Sequence, residues 1–341
     1  MARPPLVLDC VAVGGLTLDS VIGAAGDVHY RQGGGNAYYA AVGMRLWARR
    51  VGIVSRVGSD YPTEYLDALA DAGIDTSGVR KVDRRHALTA GYQYDRLGHR
   101  RLVDPSSRAR LNEQAIVRGE WDERSTVIRV SKDIREHFDP QTADLPASFR
   151  SARGFHIANM GYRAQQAYLS FLQGTVLSFD ASDPDLALAE SRGLLRAVDL
   201  FLPSEIQARA VLGGPEQSWP QALRPLATLG PSVVAVKAGS QGSWVHDSMA
   251  GRTWHIPAVA SARVEDPTGA GDAYCGGFLA AFVAGHDVLE SGLRATVSAS
   301  FVIEAFDARR GLRVSGAEAE GRLAALRPRV SEATLDASRP P

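Results

Sequence analysis

A carboxylate placed one turn into a helix that opens on glycines is a proton acceptor beside an anion site. Asp272 in the run Asp266-Pro267-Thr268-Gly269-Ala270-Gly271-Asp272 has that placement. The Gly269-Ala270-Gly271 turn leads straight into an apolar, small-residue stretch to Phe282, the pattern of a buried helix. Free backbone N–H groups gather at the start of such a helix, where the macrodipole is positive, and they hold negative charge. A plain anion binder would keep carboxylates away, so Asp272 reads as a base for a hydroxyl proton.

Other stretches place polar groups at the ends of apolar runs. Residues 6–13 read as a buried strand, and Gly14-Gly15 and then Asp19 follow at its carboxyl end, where open α/β sheets put their ligands. On position alone Asp19 is either a substrate contact or an ordinary turn aspartate. Gly33-Gly34-Gly35-Asn36-Ala37 is a second glycine-to-helix junction, open to close approach by a ligand or serving only as a flexible loop. Pro203-Ser204-Glu205 closes a strand at 198–202, and Lys237-Ala238-Gly239-Ser240-Gln241-Gly242 closes another at 233–236. These ends converge on the edge that Asp272 should share.

The elements that must position them alternate. Strands are expected at 6–13, 51–58, 154–157, 176–179, 198–202 and 233–236, with helices between them, including one that continues the glycine junction to Leu46 and one at 291–306. Residues 87–103 alternate around a turn at Arg96-Leu97-Gly98 and read as a hairpin, which joins residues 20–31 in a small β-lid. The Arg-rich segment 104–150, with Trp121 at its middle, reads as a solvated face, and His156 as a packed strand histidine. The expected organisation is one principal domain over 1–330, a lid from about 17–32 and 87–104, and a mobile tail at 331–341.

Composition narrows the function. The 341 residues are 45% hydrophobic, and 38 Lys and Arg balance 38 Asp and Glu, so no net field favours nucleic acid or an anionic membrane. Cys10 and Cys275 alone give neither a disulfide framework nor a cysteine zinc site. No apolar run is long enough to span a bilayer and the start is not a signal peptide, which implies a cytoplasmic protein. A Gly-x-x-x-x-Gly-Lys-Ser/Thr loop and a Gly-x-Gly-x-x-Gly turn after the first strand are both absent.

The late run from Asp266 to Asp272, combined with the early Gly33-Gly34-Gly35-Asn36-Ala37, resembles the ribokinase-like (PfkB) family of sugar and nucleoside kinases over roughly residues 6–326. The resemblance implies a three-layer α/β/α sandwich with a small β-sheet lid, and ATP-dependent phosphorylation of a hydroxyl on a small sugar. It makes Asp272 the catalytic base and Gly269, Ala270 and Gly271 the anion hole for the transferring phosphoryl group. Asp19, Gly33, Gly34, Gly35, Asn36 and Tyr38 fall on the substrate side. Ser204, Lys237, Gly239, Ser240, Gly242, Asp266 and Thr268 fall on the ATP side. Mg²⁺ is the implied metal, and in some members the loop at Asp266 and Thr268 helps hold a monovalent cation. The implied partners are ATP and a sugar or nucleoside, with a homodimer through the lid as an option that relatives use.

Two departures bear on the substrate and the metal. Tyr38 stands where ribokinase offers an asparagine to the sugar, which would narrow the pocket or stack on a ring, and Asn36 would supply the amide instead. Where the family commonly has Asn-x-x-Glu, this chain has Ser204 and Gln207. Either Glu205 serves the metal from a shifted position or Mg²⁺ is held mostly through ATP. The alternatives to a sugar kinase are a nucleoside kinase and a catalytically weak, ligand-binding regulatory member.

Overall fold

The computed structural model describes residues 7–95, 98–101, 103, 106, 127–129, 132–181, 192–213, 218–260 and 264–333. Its strands begin with β1 (Cys10–Val13), β2 (Thr17–Ile22), β3 (Val28–Gly34), β4 (Val51–Gly58), β5 (Ile74–Val82), β6 (Thr89–Tyr94), β7 (Arg100–Arg101) and β8 (Val127–Arg129). The second half adds β9 (Gly154–Ile157), β10 (Val176–Phe179), β11 (Leu200–Phe201), β12 (Val233–Lys237), β13 (Ser243–Asp247), β14 (Arg252–Ile256) and β15 (Ser331–Glu332).

The sequence of β1, Cys-Val-Ala-Val, is apolar throughout and buried throughout, as a strand covered on both faces must be. It pairs in parallel with β4 on one side and β9 on the other. β5 lies outside β4, β10 to β12 continue beyond β9 in parallel, and β13 to β15 finish that edge antiparallel. The chain leaves β1 toward β4 and comes back to its other side at β9, so the strand order reverses there. The carboxyl ends of β1 and β9 therefore flank a crevice.

Helices Asn36–Arg45, Ala270–Val283 and Val288–Val302 bury their apolar residues in one cluster against the sheet. Tyr162–Phe171, Glu205–Leu212 and Trp219–Ala227 contribute to a second cluster on the other face. This is the three-layer α/β sandwich expected from the sequence. Two of the helices meet with almost no side-chain spacing. A Cβ on Gly276 would stand 1.9 Å from the Ala40 carbonyl oxygen, and one on Gly43 2.0 Å from that of Ala273.

The smaller sheet runs β3-β2-β6-β7, with β8 also on β6. β2 and β6 are parallel and the other pairs antiparallel. Asp19 sits on β2 between Gln32 of β3 and Ala90 of β6, so the lid carries it over the crevice.

Several elements differ from expectation. Gly33 and Gly34 are strand residues of β3 rather than loop. β5 was not anticipated because its exposed positions, among them Asp75 and Lys81, interrupt the apolar run. The helix expected at 291–306 runs Val288–Val302, capped by Asp287, whose carboxylate accepts the Glu290 N–H at 2.7 Å. Ser331 and Glu332, expected to open a mobile tail, instead pair with β14, and Glu332 holds Arg252. Within 104–150, β8 and a helix at Lys132–Phe138 emerge, while Trp121 and residues 96–97 of the expected turn lie outside the described residues. Among the described residues no helix is long and apolar enough to cross a membrane.

Candidate active site

The turn before the helix Ala270–Val283 is shaped by its own side chains. Asp266, buried, accepts the Thr268 N–H on Oδ1 at 2.9 Å, and the Ala270 N–H closes on the Pro267 carbonyl at 3.3 Å. Gly269 takes φ 77, a left-handed conformation that strains other residues, and a Cβ there would also strike the Tyr39 ring. The Ala273 N–H is the first to find a carbonyl one turn back, that of Gly269 at 2.9 Å. Helix geometry thus leaves the Gly271 and Asp272 amides as donors at the positive end of the dipole.

Lys237 at the end of β12 faces this helix start. Its Nζ is 3.2 Å from Cys275 Sγ and 3.5 Å from Asp180 Oδ2, at the end of β10. It also lies 3.6 Å from where a Cβ on Gly271 would be. Burial opposes the ammonium charge, but the Asp180 carboxylate outweighs it and holds Lys237 protonated. Burial pushes Asp180 up while Lys237 pulls it back, and Asp180 Oδ1 is buried with no hydrogen-bond partner. Asp272 is half-buried. Desolvation first and the Asp180 charge second raise its pKa to about 6, against the pull of Lys237 and Arg100.

On the other side of the crevice, Asp19 is 3% exposed. Desolvation raises its pKa to about 7, opposed by the Thr17 hydroxyl and Arg100. Its Oδ1 and the Thr17 hydroxyl are buried, and among the described residues neither makes a hydrogen bond of good geometry, so Thr17 acts on the carboxylate as a nearby dipole. Gly34 makes room for the carboxylate, since a Cβ there would stand 2.2 Å from Asp19 Oδ2. Asn36 Oδ1 accepts the Gly15 N–H at 2.9 Å, and its Nδ2 donates to the Asn159 carbonyl. The amide expected to read a sugar therefore ties the ends of β1 and β9 together.

A cavity of about 840 Å³ joins these groups. Asp19, Gly35, Asn36, Ser204, Lys237, Gly239, Ser240, Gly242, Thr268, Gly269, Ala270, Gly271 and Asp272 all line it. Five expected site residues do not. Tyr38 points into the core, 2% exposed, and its neighbour Tyr39 takes the cavity wall. Gly33 serves packing, because a Cβ there would stand 2.4 Å from the Tyr65 ring. Gly34 and Asp266 act through Asp19 and the turn. Glu205, expected as a metal ligand, accepts the Trp219 indole N–H at 2.6 Å and is drawn away from the cavity. Gln207 and Ser204 form a reciprocal cap: Gln207 Oε1 accepts the Ser204 N–H at 2.7 Å and Ser204 Oγ accepts the Gln207 N–H at 3.3 Å.

Six charged cavity groups were not singled out in the sequence: Arg100, Arg135, Glu136, Asp139, Asp180 and Arg329. Arg100, exposed on β7, lies over the Tyr92 ring at 4.8 Å, and its Nε is 3.4 Å from the Tyr94 hydroxyl. Tyr94 in turn shares a 2.8 Å hydrogen bond with Thr268 Oγ1, linking lid to turn. Asp180 ends an apolar strand, a position that the strand-end rule could have flagged. Arg100 lies in a charged hairpin that offers no such cue. His156 is a fully buried strand histidine paired with Ser178 at 3.0 Å, its pKa lowered to about 3 by burial.

A helix start with free amides, a lysine and a desolvated carboxylate thus meet at the switch point of a doubly wound sheet. Residues 161–314 match the model of the pfkB family carbohydrate kinase. A cytidine kinase of Thermococcus kodakarensis is 26% identical over 289 residues, covering 83% of this chain and 92% of that protein. Among solved structures, the Methanocaldococcus jannaschii nucleoside kinase, an archaeal member of the ribokinase family, has TM-score 0.69 at 19% identity, covering 94% of this chain and 99% of that one. A putative ribokinase II from E. coli, in complex with ATP and Mg²⁺, has TM-score 0.66 at 18% identity, covering 94% and 100%. The later half of the chain thus matches the pfkB family carbohydrate kinase model, and the whole has the fold of the ribokinase-family structures.

Proposed function

We propose that this chain is an ATP-dependent kinase that phosphorylates a sugar-ring hydroxyl of a nucleoside. The observation that supports it most is Asp272, a carboxylate of raised pKa set among the Gly271 amide, its own amide and the Lys237 ammonium. Proton abstraction and phosphoryl-charge stabilisation then occur on one helix turn. Asp272 takes the proton of the hydroxyl as its oxygen bonds to the γ-phosphorus and the bond to the ADP oxygen breaks. Lys237 and the helix-start amides face the phosphoryl oxygens, Asp19 accepts from a second hydroxyl and orients the ring, and Arg100 of the lid neutralises charge as the substrates come together. The kinship with a cytidine kinase and a nucleoside kinase favours a nucleoside as acceptor. A free sugar is the second reading, favoured by the carbohydrate kinase model that 161–314 matches.

Magnesium fits as a companion of ATP rather than a resident ion. Among the described residues no cluster of three or more His, Cys, Asp or Glu can hold a metal. Asp180, with its orphaned Oδ1 on the cavity wall, offers the single carboxylate that Mg²⁺ needs beside phosphate oxygens and water. The ion supplies neutralisation of phosphate charge. Gln207 is occupied in the helix cap, so its neutral amide does not argue for weak turnover.

ATP-dependent phosphorylation of a panel of nucleosides, pentoses and hexoses tests the reading. Asp272→Asn should lower kcat by about 10²-fold to 10⁴-fold while the thermal transition persists. In the wild type kcat/KM should fall as pH drops through about 6, where Asp272 takes up its proton. Full activity in the Asn variant, or a flat profile between pH 5 and 7, would remove Asp272 from the role of base.

A further inference from the structure

We propose that Asp139, on the cavity wall, selects the substrate by accepting a hydrogen bond from an amino group on the base of the nucleoside. The inference rests on the nucleoside reading above and extends it to the kind of base. Asp139 lies in the segment that follows the lid, directly after the helix Lys132–Phe138. That helix is fixed by Phe138, fully exposed to nothing but protein, which packs on Leu88 of the cavity wall and meets His86 edge-on at 5.3 Å. The carboxylate is held from the other side as well, since Oδ2 accepts the Gly161 N–H at 3.0 Å.

The chemistry of the remaining oxygen carries the argument. Asp139 lines the cavity, and its Oδ1 has no hydrogen-bond partner among the described residues. Burial pushes its pKa up to about 6, with the Gly161 N–H and Arg135 opposing, so at neutral pH it is an acceptor only. An amino group, as on cytosine or adenine, donates to it. A keto oxygen at the same place, as on uracil or hypoxanthine, meets a carboxylate with two lone-pair systems face to face. The Asn36 amide, which also lines the cavity, is occupied by the Asn159 backbone carbonyl and the Gly15 N–H.

Asp139 also has a structural use. Its charge sits at the start of the helix Tyr162–Phe171, where Gly161 is the cap, and this favours the helix dipole. A role confined to the helix would weaken the fold and lower all turnover together, without changing which base is preferred.

The test compares kcat/KM for cytidine against uridine, and adenosine against inosine, with ATP and Mg²⁺ in the wild type and in Asp139→Asn. The amide keeps an acceptor for Gly161 and adds a donor. The wild type should favour the amino partner of each pair by at least about 10-fold. The variant should bring both ratios to within about 3-fold, mainly through KM. Asp139→Ala, with its thermal transition measured alongside, should also lose the preference. Equal loss for both members of a pair, or ratios that survive in the Asn variant, would overturn the inference. Turnover of nucleosides without an amino preference in the wild type overturns it alone. No turnover of any nucleoside overturns it together with the reading it rests on.

Discussion

Replacing Asp19 by Asn should stabilise the ligand-free protein while impairing it as an enzyme. The carboxylate is 3% exposed, its Oδ1 has no partner, and burial raises its pKa from 3.8 to about 7. The folded state therefore binds its proton more tightly than the unfolded chain, so stability is highest below about pH 4 and is lost as pH rises through about 7. At about 1.4 kcal/mol per pKa unit, the shift corresponds to a cost of roughly 4 kcal/mol above that window. Relaxation around the charge reduces this, and about 1–3 kcal/mol is the expected gain for Asn at pH 8. For a chain of this length the unfolding entropy is about 0.7 kcal/mol/K, so the gain appears as roughly 1–4 °C in Tm. Calorimetry of both proteins from pH 4 to 8 should show curves that meet in acid and separate toward alkali. An Asn variant that melts no higher than the wild type at pH 8 would mean that the carboxylate has a partner or is hydrated, and the reasoning fails. The same substitution should lower kcat/KM for the acceptor by about 10-fold to 100-fold, the worth of a charged hydrogen bond.

The remaining predictions concern the lid and the helix seam. Arg100→Met, which keeps the stem over Tyr92 and removes the charge, should lower kcat/KM about 10-fold to 100-fold, with Arg100→Lys recovering part of it. Steady-state rates at varied ATP read this directly, and unchanged kinetics would take Arg100 out of the site. Gly276→Ala should destabilise by about 1–3 kcal/mol in urea unfolding, although Ala is the better helix former by about 1 kcal/mol. The added methyl would meet the Ala40 carbonyl, and backbone cannot swing aside.

What could be read from the sequence was whatever lay in a contiguous run. From Asp266 to Asp272 the turn, the amides and the base are adjacent in the chain, and their geometry follows from local rules. Tyr38, expected at the pocket, lies in the core because consecutive residues on a helix point about 100° apart, and only the packing of Asn36–Arg45 decides that Tyr39 faces the cavity. Gly33 and Glu205 lie off the cavity for a different reason. Their partners, Tyr65 and Trp219, are set by tertiary contact. Asp180 acquires its meaning only beside Lys237, and Asp139 only beside Gly161.

The glycine seam between Asn36–Arg45 and Ala270–Val283 has a mechanical consequence. Each helix begins at the cavity, the first beside Gly35 and Asn36 and the second at Ala270, Gly271 and Asp272. With backbone against backbone, neither can slide or rotate without the other, so the two form one anvil built into the most protected part of the core. Under the proposed function, movement during a catalytic cycle would then fall to the smaller sheet, which carries Asp19 and Arg100. The hammer is the piece that carries Asp19, and the surface it faces does not give.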